Sequence, residues 1–404
     1  MTGHRAALLV AAVGLSLVGL PLNGQPATAL DTACANRLAP PPAVDASETP
    51  HPGQVAPGPL PVSAKPVGGP RMDECADILP LGAPPLPPGE TAASWVLADL
   101  DSGTVLAARN PHARHRPASL LKVLTALVVL QRLDLNTTVD GTQEDANIPG
   151  SRVGVGPGGH YTVRQLLTGL LLNSGNDAAN ALARQLGGLP ATLDAMASTA
   201  TDLGALDTRP TSPSGLDAPG MSTSAYDLTV VFRAAMRRPE FAEIDRLQLF
   251  DWPGRGDLPG FKISNDNRML TNYPGTIGGK TGFTDDARHT RIAAAERQGR
   301  RLVVVLMRGE QYPVPMDVQA ARLLDYGFAL PVSTPWVGML VEHRPEEPKP
   351  SATPQPAPAG LAPSLTAPPR GGGDDLTWPL VIGGIVVVVG VALSILIAQC
   401  RRRS

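Results

Sequence analysis

Apolar and polar positions along the middle of the chain define a small set of elements. Residues 94–100 and 104–108 are short runs rich in Val, Leu and Ala, and Asp101-Ser102-Gly103 separates them. Two such runs around a polar, Gly-containing turn predict a β-hairpin. Residues 119–133 are strongly apolar and lack Gly and Pro, which predicts a buried helix. Thr162 and Gln165 have capping-box spacing ahead of an apolar helix over 163–172. Residues 178–186 and 193–203 also carry helical patterns. Strand candidates follow at 291–296 and 301–307, and a helix at 316–326. Strands at both ends with helices between them predict one mixed sheet with an inserted helical part.

The flanks have a different texture. Residues 1–29 read as a signal peptide: His4 and Arg5, an apolar run over 6–20, then Ala27-Thr28-Ala29 as a small-x-small cleavage pattern. Residues 30–90 are dense in Pro and show no period, so they read as an extended extracytoplasmic arm apart from the core. The folded domain is expected over 91–332 and a Pro-rich linker over 333–378. A transmembrane helix is expected over 379–398. Its uncharged stretch from Leu380 to Ala398 would span about 28 Å as a helix. Arg401, Arg402 and Arg403 then mark a cytoplasmic tail, 399–404.

Composition narrows the function. Formal net charge is −2, which argues against a nucleic-acid partner. Three cysteines are too few for a disulfide scaffold or a four-ligand zinc site, and no metal or cofactor is implied. Cys34 and Cys75 either stay free or pair; the export signal favours a disulfide between them.

Only five residues are Lys, and two stand in short motifs: Ser119-Leu120-Leu121-Lys122 and Lys280-Thr281-Gly282. Between them lies Ser174-Gly175-Asn176. A Ser opening a helix meets the positive end of the helix dipole, which favours a developing oxyanion. Lys122 lies on the same helix face one turn later, inside an apolar run. It must find partners or lose its proton, and a neutral amine beside a hydroxyl is a general base. Ser174 can relay a proton, and the Asn176 amide can hold a substrate amide. Gly279 and Gly282 around Lys280 let a substrate backbone approach an edge strand. Lys280 supplies charge, Thr281 a hydroxyl for a terminal carboxylate, and the Phe283 and Ser119 amides an oxyanion hole.

The three motifs, in this order, resemble those of serine-type D-alanyl-D-alanine carboxypeptidases, the low-molecular-mass penicillin-binding proteins. Gly215-Leu216-Asp217, Ser224-Ala225-Tyr226-Asp227 and Asn267-Arg268-Met269-Leu270 are also similar to that family. The resemblance implies an α+β fold of the β-lactamase/transpeptidase type. An antiparallel sheet is flanked by helices, an all-helical subdomain is added, and the site lies between them. It implies Ser119 as nucleophile, Lys122 as base, and Ser174, Asn176, Lys280 and Thr281 lining the cleft. Family members often add an Arg for the substrate carboxylate; Arg288, Arg291 and Arg308 are candidates among which the sequence does not choose. The implied substrates are peptidoglycan stem peptides, with β-lactams as covalent inhibitors. Many such carboxypeptidases carry a β-rich second domain and an amphipathic anchor; here the Pro-rich linker follows the catalytic domain directly, and the C-terminal membrane anchor reads as a true span. A DD-endopeptidase would use the same residues. A class A-like β-lactamase would need a Glu-x-x-Leu-Asn that is absent between Asn176 and Lys280, and a β-lactam sensor would need more than a six-residue tail.

Overall fold

The computed structural model describes residues 34–346. The expected leader, span and tail, and the linker from 347 on, lie outside the described residues. Among the described residues no helix is long and apolar enough to cross a membrane.

The strands, in chain order, are β1 (Asp77–Ile78), β2 (Ser94–Asp99), β3 (Thr104–Arg109), β4 (Thr138–Asp140), β5 (His160–Thr162), β6 (Leu249–Trp252), β7 (Phe261–Ser264), β8 (Thr276–Thr284), β9 (Arg288–Arg297), β10 (Arg300–Gly309) and β11 (Gly338–Met339). The helices are α1 (Lys122–Arg132), α2 (Gln143–Asn147), α3 (Val163–Leu172), α4 (Asn176–Gln185), α5 (Leu189–Asp202), α6 (Ala225–Met236), α7 (Pro239–Asp245), α8 (Met269–Asn272) and α9 (Met316–Ala329). The main sheet has the order β1-β3-β2-β10-β9-β8, with β11 also on β3. It therefore takes in two short strands from outside 91–332.

The sheet is not mixed, as the pattern alone predicts, but antiparallel at every pairing. Hairpins join β2 to β3 and β8 to β9 to β10, and hairpins reverse direction at each step. The long insertion only bridges these two groups; it is mostly helical but not all-helical, since it also holds the antiparallel ribbons β4–β5 and β6–β7.

Side-chain alternation sends Val303, Val305 and Met307 of β10 into one apolar cluster with α1, α3 and α6. Leu302, Val304 and Leu306 enter a second cluster with Met316, Ala320 and Leu323 of α9. Both faces of the strand are covered, so all six residues are buried and the run reads as continuously apolar. At the far edge, β8 pairs only with β9 and leaves its other side to a cleft.

The helix expected from residue 119 begins as a 3-10 turn, Ala118–Leu121, and becomes α1 at Lys122. Ala118 has φ of 48°, a left-handed conformation unusual for a residue with a Cβ. That kink sets Ser119 at the mouth of the turn. Gly215 packs against it: a Cβ there would lie 1.8 Å from the Ala118 carbonyl oxygen.

The Pro-rich arm is docked on the core, contrary to its expected separateness. Buried Arg114 donates to the carbonyls of Leu38, Leu60 and Pro61 at 2.8, 2.6 and 2.7 Å. Arg209 holds the Gly58 carbonyl at 2.9 Å. Proline-rich backbone has carbonyls that no neighbouring N–H satisfies, and the guanidinium groups of buried Arg114 and half-buried Arg209 supply the donors. Cys34 and Cys75 form a disulfide, with Cα atoms 5.1 Å apart.

Candidate active site

The cleft holds about 320 Å³ and is lined by Ser119, Ser174, Thr281, Gly282, Phe283 and Arg291, among others. The three motifs come from three places in the fold and converge here. The 3-10 turn supplies Ser119, the α3–α4 junction supplies Ser174, and edge strand β8 supplies Thr281 to Phe283; Asn176 and Lys280 are buried and do not line the cleft themselves.

Lys122 is the hub. It is fully buried, and its Nζ lies 2.8 Å from Ser119 Oγ, 2.7 Å from Asn176 Oδ1 and 2.6 Å from the Ser214 carbonyl oxygen. Burial pushes its pKa well below the usual lysine value, and the Lys280 charge adds to the effect; Asp177 and Asp266 oppose it. Asn176 is itself held. Its Nδ2 donates to the Pro149 carbonyl at 2.8 Å and its backbone N–H to the Ser151 carbonyl at 2.7 Å.

Ser174 has φ of 58°, so the chain turns sharply between α3 and α4. Its buried hydroxyl faces the cleft with no partner among the described residues. Lys280 is buried too, and burial brings its pKa down to about 8 against the opposing charges of Asp266 and Asp245. Gly282 lets β8 reach the nucleophile: a Cβ there would lie 3.0 Å from the Ser119 backbone nitrogen and 2.4 Å from Thr290 Oγ1.

Of the three candidate arginines, only Arg291 lines the cleft. It stands opposite Thr281 in the β8–β9 register, and its guanidinium donates to Asn267 Oδ1 at 2.7 Å and pairs with Asp317. Its Nε has no partner among the described residues. Arg288 pairs with Glu310, and Arg308 donates to the Asp286 carbonyl.

Sequence reasoning missed Ser151, Asp266, Thr290 and Gln311 of the cleft lining, and two buried carboxylates that support the site. Asp177 is buried, and its carboxylate accepts N–H groups from Val153, Gly154 and Val155 at 2.8–3.0 Å and from Ala178 at 2.9 Å. It thereby fixes the loop whose carbonyls hold Asn176. A charged residue directly after an apolar helix and the Ser-Gly-Asn turn was the available signal. Asp245, at the end of α7, accepts the Gly279 N–H at 2.7 Å, and burial pushes its carboxyl up to about 7.

Among the described residues, His112, Asp207 and Asp227 come close enough to hold a metal ion. His112 and Asp207 are already engaged, and Asp227 Oδ2 accepts the Asp207 N–H and the Thr208 hydroxyl at 2.7 Å each; only Asp227 Oδ1 has no partner among the described residues. His112 Nδ1 contacts Asp207 at 2.7 Å, His112 Nε2 the Val67 carbonyl at 3.0 Å, and Arg114 donates to Asp207 at 3.0 Å. A guanidinium there opposes a second cation, and none of the three lines the cleft.

An antiparallel sheet, a helical insertion and a Ser–Lys pair at their junction define a serine acyl-transfer enzyme of the penicillin-binding type. The family described as D-alanyl-D-alanine carboxypeptidase matches residues 83–311, more than half of the chain. The chain belongs to that family. It is 51% identical over 260 residues to D-alanyl-D-alanine carboxypeptidase DacB2 of Mycobacterium tuberculosis, covering 63% of this chain and 88% of that one. DacF of Bacillus subtilis, also a D-alanyl-D-alanine carboxypeptidase, is 30% identical over 244 residues, 59% of this chain and 62% of its own length. The crystal structure of a D-alanyl-D-alanine carboxypeptidase from Mycobacterium tuberculosis matches with a TM-score of 0.62 and 48% identity, over 65% of this chain and all of that one. A Streptomyces DD-transpeptidase matches with a TM-score of 0.58 and 28% identity, over 60% and 99% of the two chains.

Proposed function

We propose that the protein removes the terminal D-Ala from peptidoglycan stem pentapeptides through an acyl-Ser119 intermediate. One observation carries the reading: a buried lysine, its pKa pushed well below the usual lysine value by that burial, lies 2.8 Å from a serine hydroxyl at a cleft. Ser119 Oγ attacks the carbonyl carbon of the penultimate D-Ala while Lys122 takes its proton. The new oxyanion is received by the Ser119 and Phe283 amides. As the C–N bond breaks, Ser174 passes a proton from Lys122 to the leaving amine. Lys280, Thr281 and Arg291 hold the terminal carboxylate, and Asn176 orients the peptide. Water, deprotonated by Lys122, then attacks the ester carbonyl; the C–Oγ bond breaks, Lys122 returns the proton to Ser119 Oγ, and the shortened peptide leaves as a carboxylate. Every step uses the chain's own groups. A β-lactam presents a similar amide and carboxylate and acylates the same serine.

The signal-like pattern over 1–29 and the uncharged run over 380–398 support an exported enzyme anchored by a C-terminal span, with the catalytic domain outside. Mass spectrometry of pentapeptide muropeptides after incubation tests the activity. Loss of 1 D-Ala per peptide with wild type, and none with Ser119→Ala, is expected. Fluorescent penicillin that labels Ser119→Ala as stably as wild type would overturn the assignment.

A further inference from the structure

Arg116 lies three residues before Ser119, and Asp286 lies in the turn joining β8 to β9. Both are buried, yet their closest charged atoms are 3.9 Å apart, too far for a hydrogen bond. Residues 41–48 of the arm bridge that gap. Arg116 donates to the Pro41 carbonyl at 2.7 Å and to both carboxylate oxygens of Glu48. Asp286 accepts the Ser47 hydroxyl at 3.1 Å and the Val44 N–H. On its other side Arg308 donates to the Asp286 carbonyl at 2.7 Å. The loop at Gly215, packed on Ala118, reaches the same place through Asp217. Burial raises the Asp217 carboxyl to about 6, and the Asp286 charge adds to the rise. One short stretch of arm thus ties the turn that presents Ser119 to the hairpin that carries Thr281, Gly282 and Phe283. That stretch lies before residue 83, where the family match begins.

We propose that residues 41–48 are a positioning strap for the catalytic step, with Glu48 and Ser47 acting through Arg116 and Asp286. The inference rests on the reading of Ser119 as nucleophile. The strap fixes the distance between the Ser119 and Phe283 amides, one on each of the two segments it joins. Those amides meet full negative charge only in the transition state. Loosening the strap therefore lowers kcat and kcat/KM together and leaves KM nearly unchanged.

The test uses the full chain carrying Ser47→Ala and Glu48→Gln together, with a tripeptide ending in D-Ala-D-Ala and a fluorescent penicillin. The kcat and the penicillin acylation rate should both fall by at least about tenfold, since small misplacements of reacting groups cost that much or more. KM should stay within about twofold, and Glu48→Asp, which keeps a carboxylate for Arg116, should recover part of the rate. A folded double variant with wild-type kcat and acylation rate would overturn the strap. If the double variant unfolds, the single Ser47→Ala, at an exposed residue, must show the same split between kcat and KM or the strap is wrong. A wild type that is acylated but releases no D-Ala defeats the substrate reading alone, and the acylation rates still decide the strap. A wild type that does neither defeats both.

Discussion

Lys122 Nζ faces three oxygens at 2.6–2.8 Å, and in the proposed mechanism the proton count at that atom controls the chemistry. An ammonium would donate to all three. A neutral amine has two N–H bonds, which serve the Asn176 and Ser214 oxygens, and its lone pair then accepts from the Ser119 hydroxyl. Burial and the Lys280 charge favour this second state. Lys122→Arg keeps a cation in place but cannot take a proton, because guanidinium stays protonated. The variant should fold and lose penicillin acylation by more than about a hundredfold, the lower end for a lost general base. In wild type the acylation rate should rise with pH through the lowered Lys122 pKa, and in Lys122→Arg that rise should vanish. Lys280 gives a second pH effect of opposite sense. Its pKa of about 8 means that it loses its charge above that pH, so KM for a peptide ending in a carboxylate should climb from about pH 8 upward. Steady-state kinetics from pH 6 to 10 resolves both, and a KM that is flat across that range would remove Lys280 from carboxylate binding.

At the level of elements, the loop over 149–155 is held in place by a single side chain. Asp177 accepts four backbone N–H groups, three of them from that loop, and the loop's carbonyls hold Asn176. Asp177→Ala should cost about 2–4 kcal/mol of stability, because several buried donors lose a charged acceptor. Activity should fall as well, as Asn176 drifts from Lys122. Thermal unfolding and kcat measured on the same preparation check both. An unchanged melting temperature would show that the loop does not depend on this carboxylate. The sequence pattern was most legible where periodicity was strong: α3 runs over Val163–Leu172 as its capping box implies, and the β2–β3 hairpin stands where its turn predicts. It was blind to β8, whose Thr276–Thr284 run is rich in Gly and offers no alternation; only the Lys-Thr-Gly motif marked it. The kink at Ala118 was equally hidden, because a positive φ at alanine is imposed by tertiary contacts and leaves no local pattern. The candidate site residues were marked by motif chemistry, and the fold brings Ser119, Lys122 and Asn176 within hydrogen-bond reach of one another. Arg291 was not separable from its neighbours, since only the strand register puts it opposite Thr281.

Across the whole molecule, the arm and the catalytic body form a single assembly, because the arm's contacts run through buried arginines of the body. The Cys34–Cys75 bond closes a separation of 41 residues within it. In the chain-entropy account a loop of that size contributes about 4 kcal/mol. Because the arm is docked, this loss should appear in the main transition. Cys34→Ser with Cys75→Ser should show one unfolding step at lower temperature by calorimetry. A separate early step, with the main one unmoved, would mean that the arm melts by itself. The docking also bears on how the arm can change over generations. Arg114 and Arg209 grip main-chain oxygens of Leu38, Leu60, Pro61 and Gly58, atoms that every amino acid possesses. At those positions the side chains are free to drift while the grip survives, so descendants of this chain can share the docked arm without sharing its letters. Saturation mutagenesis should find positions 58, 60 and 61 permissive and Arg114 intolerant; the reverse ranking would place the hold in the arm's side chains.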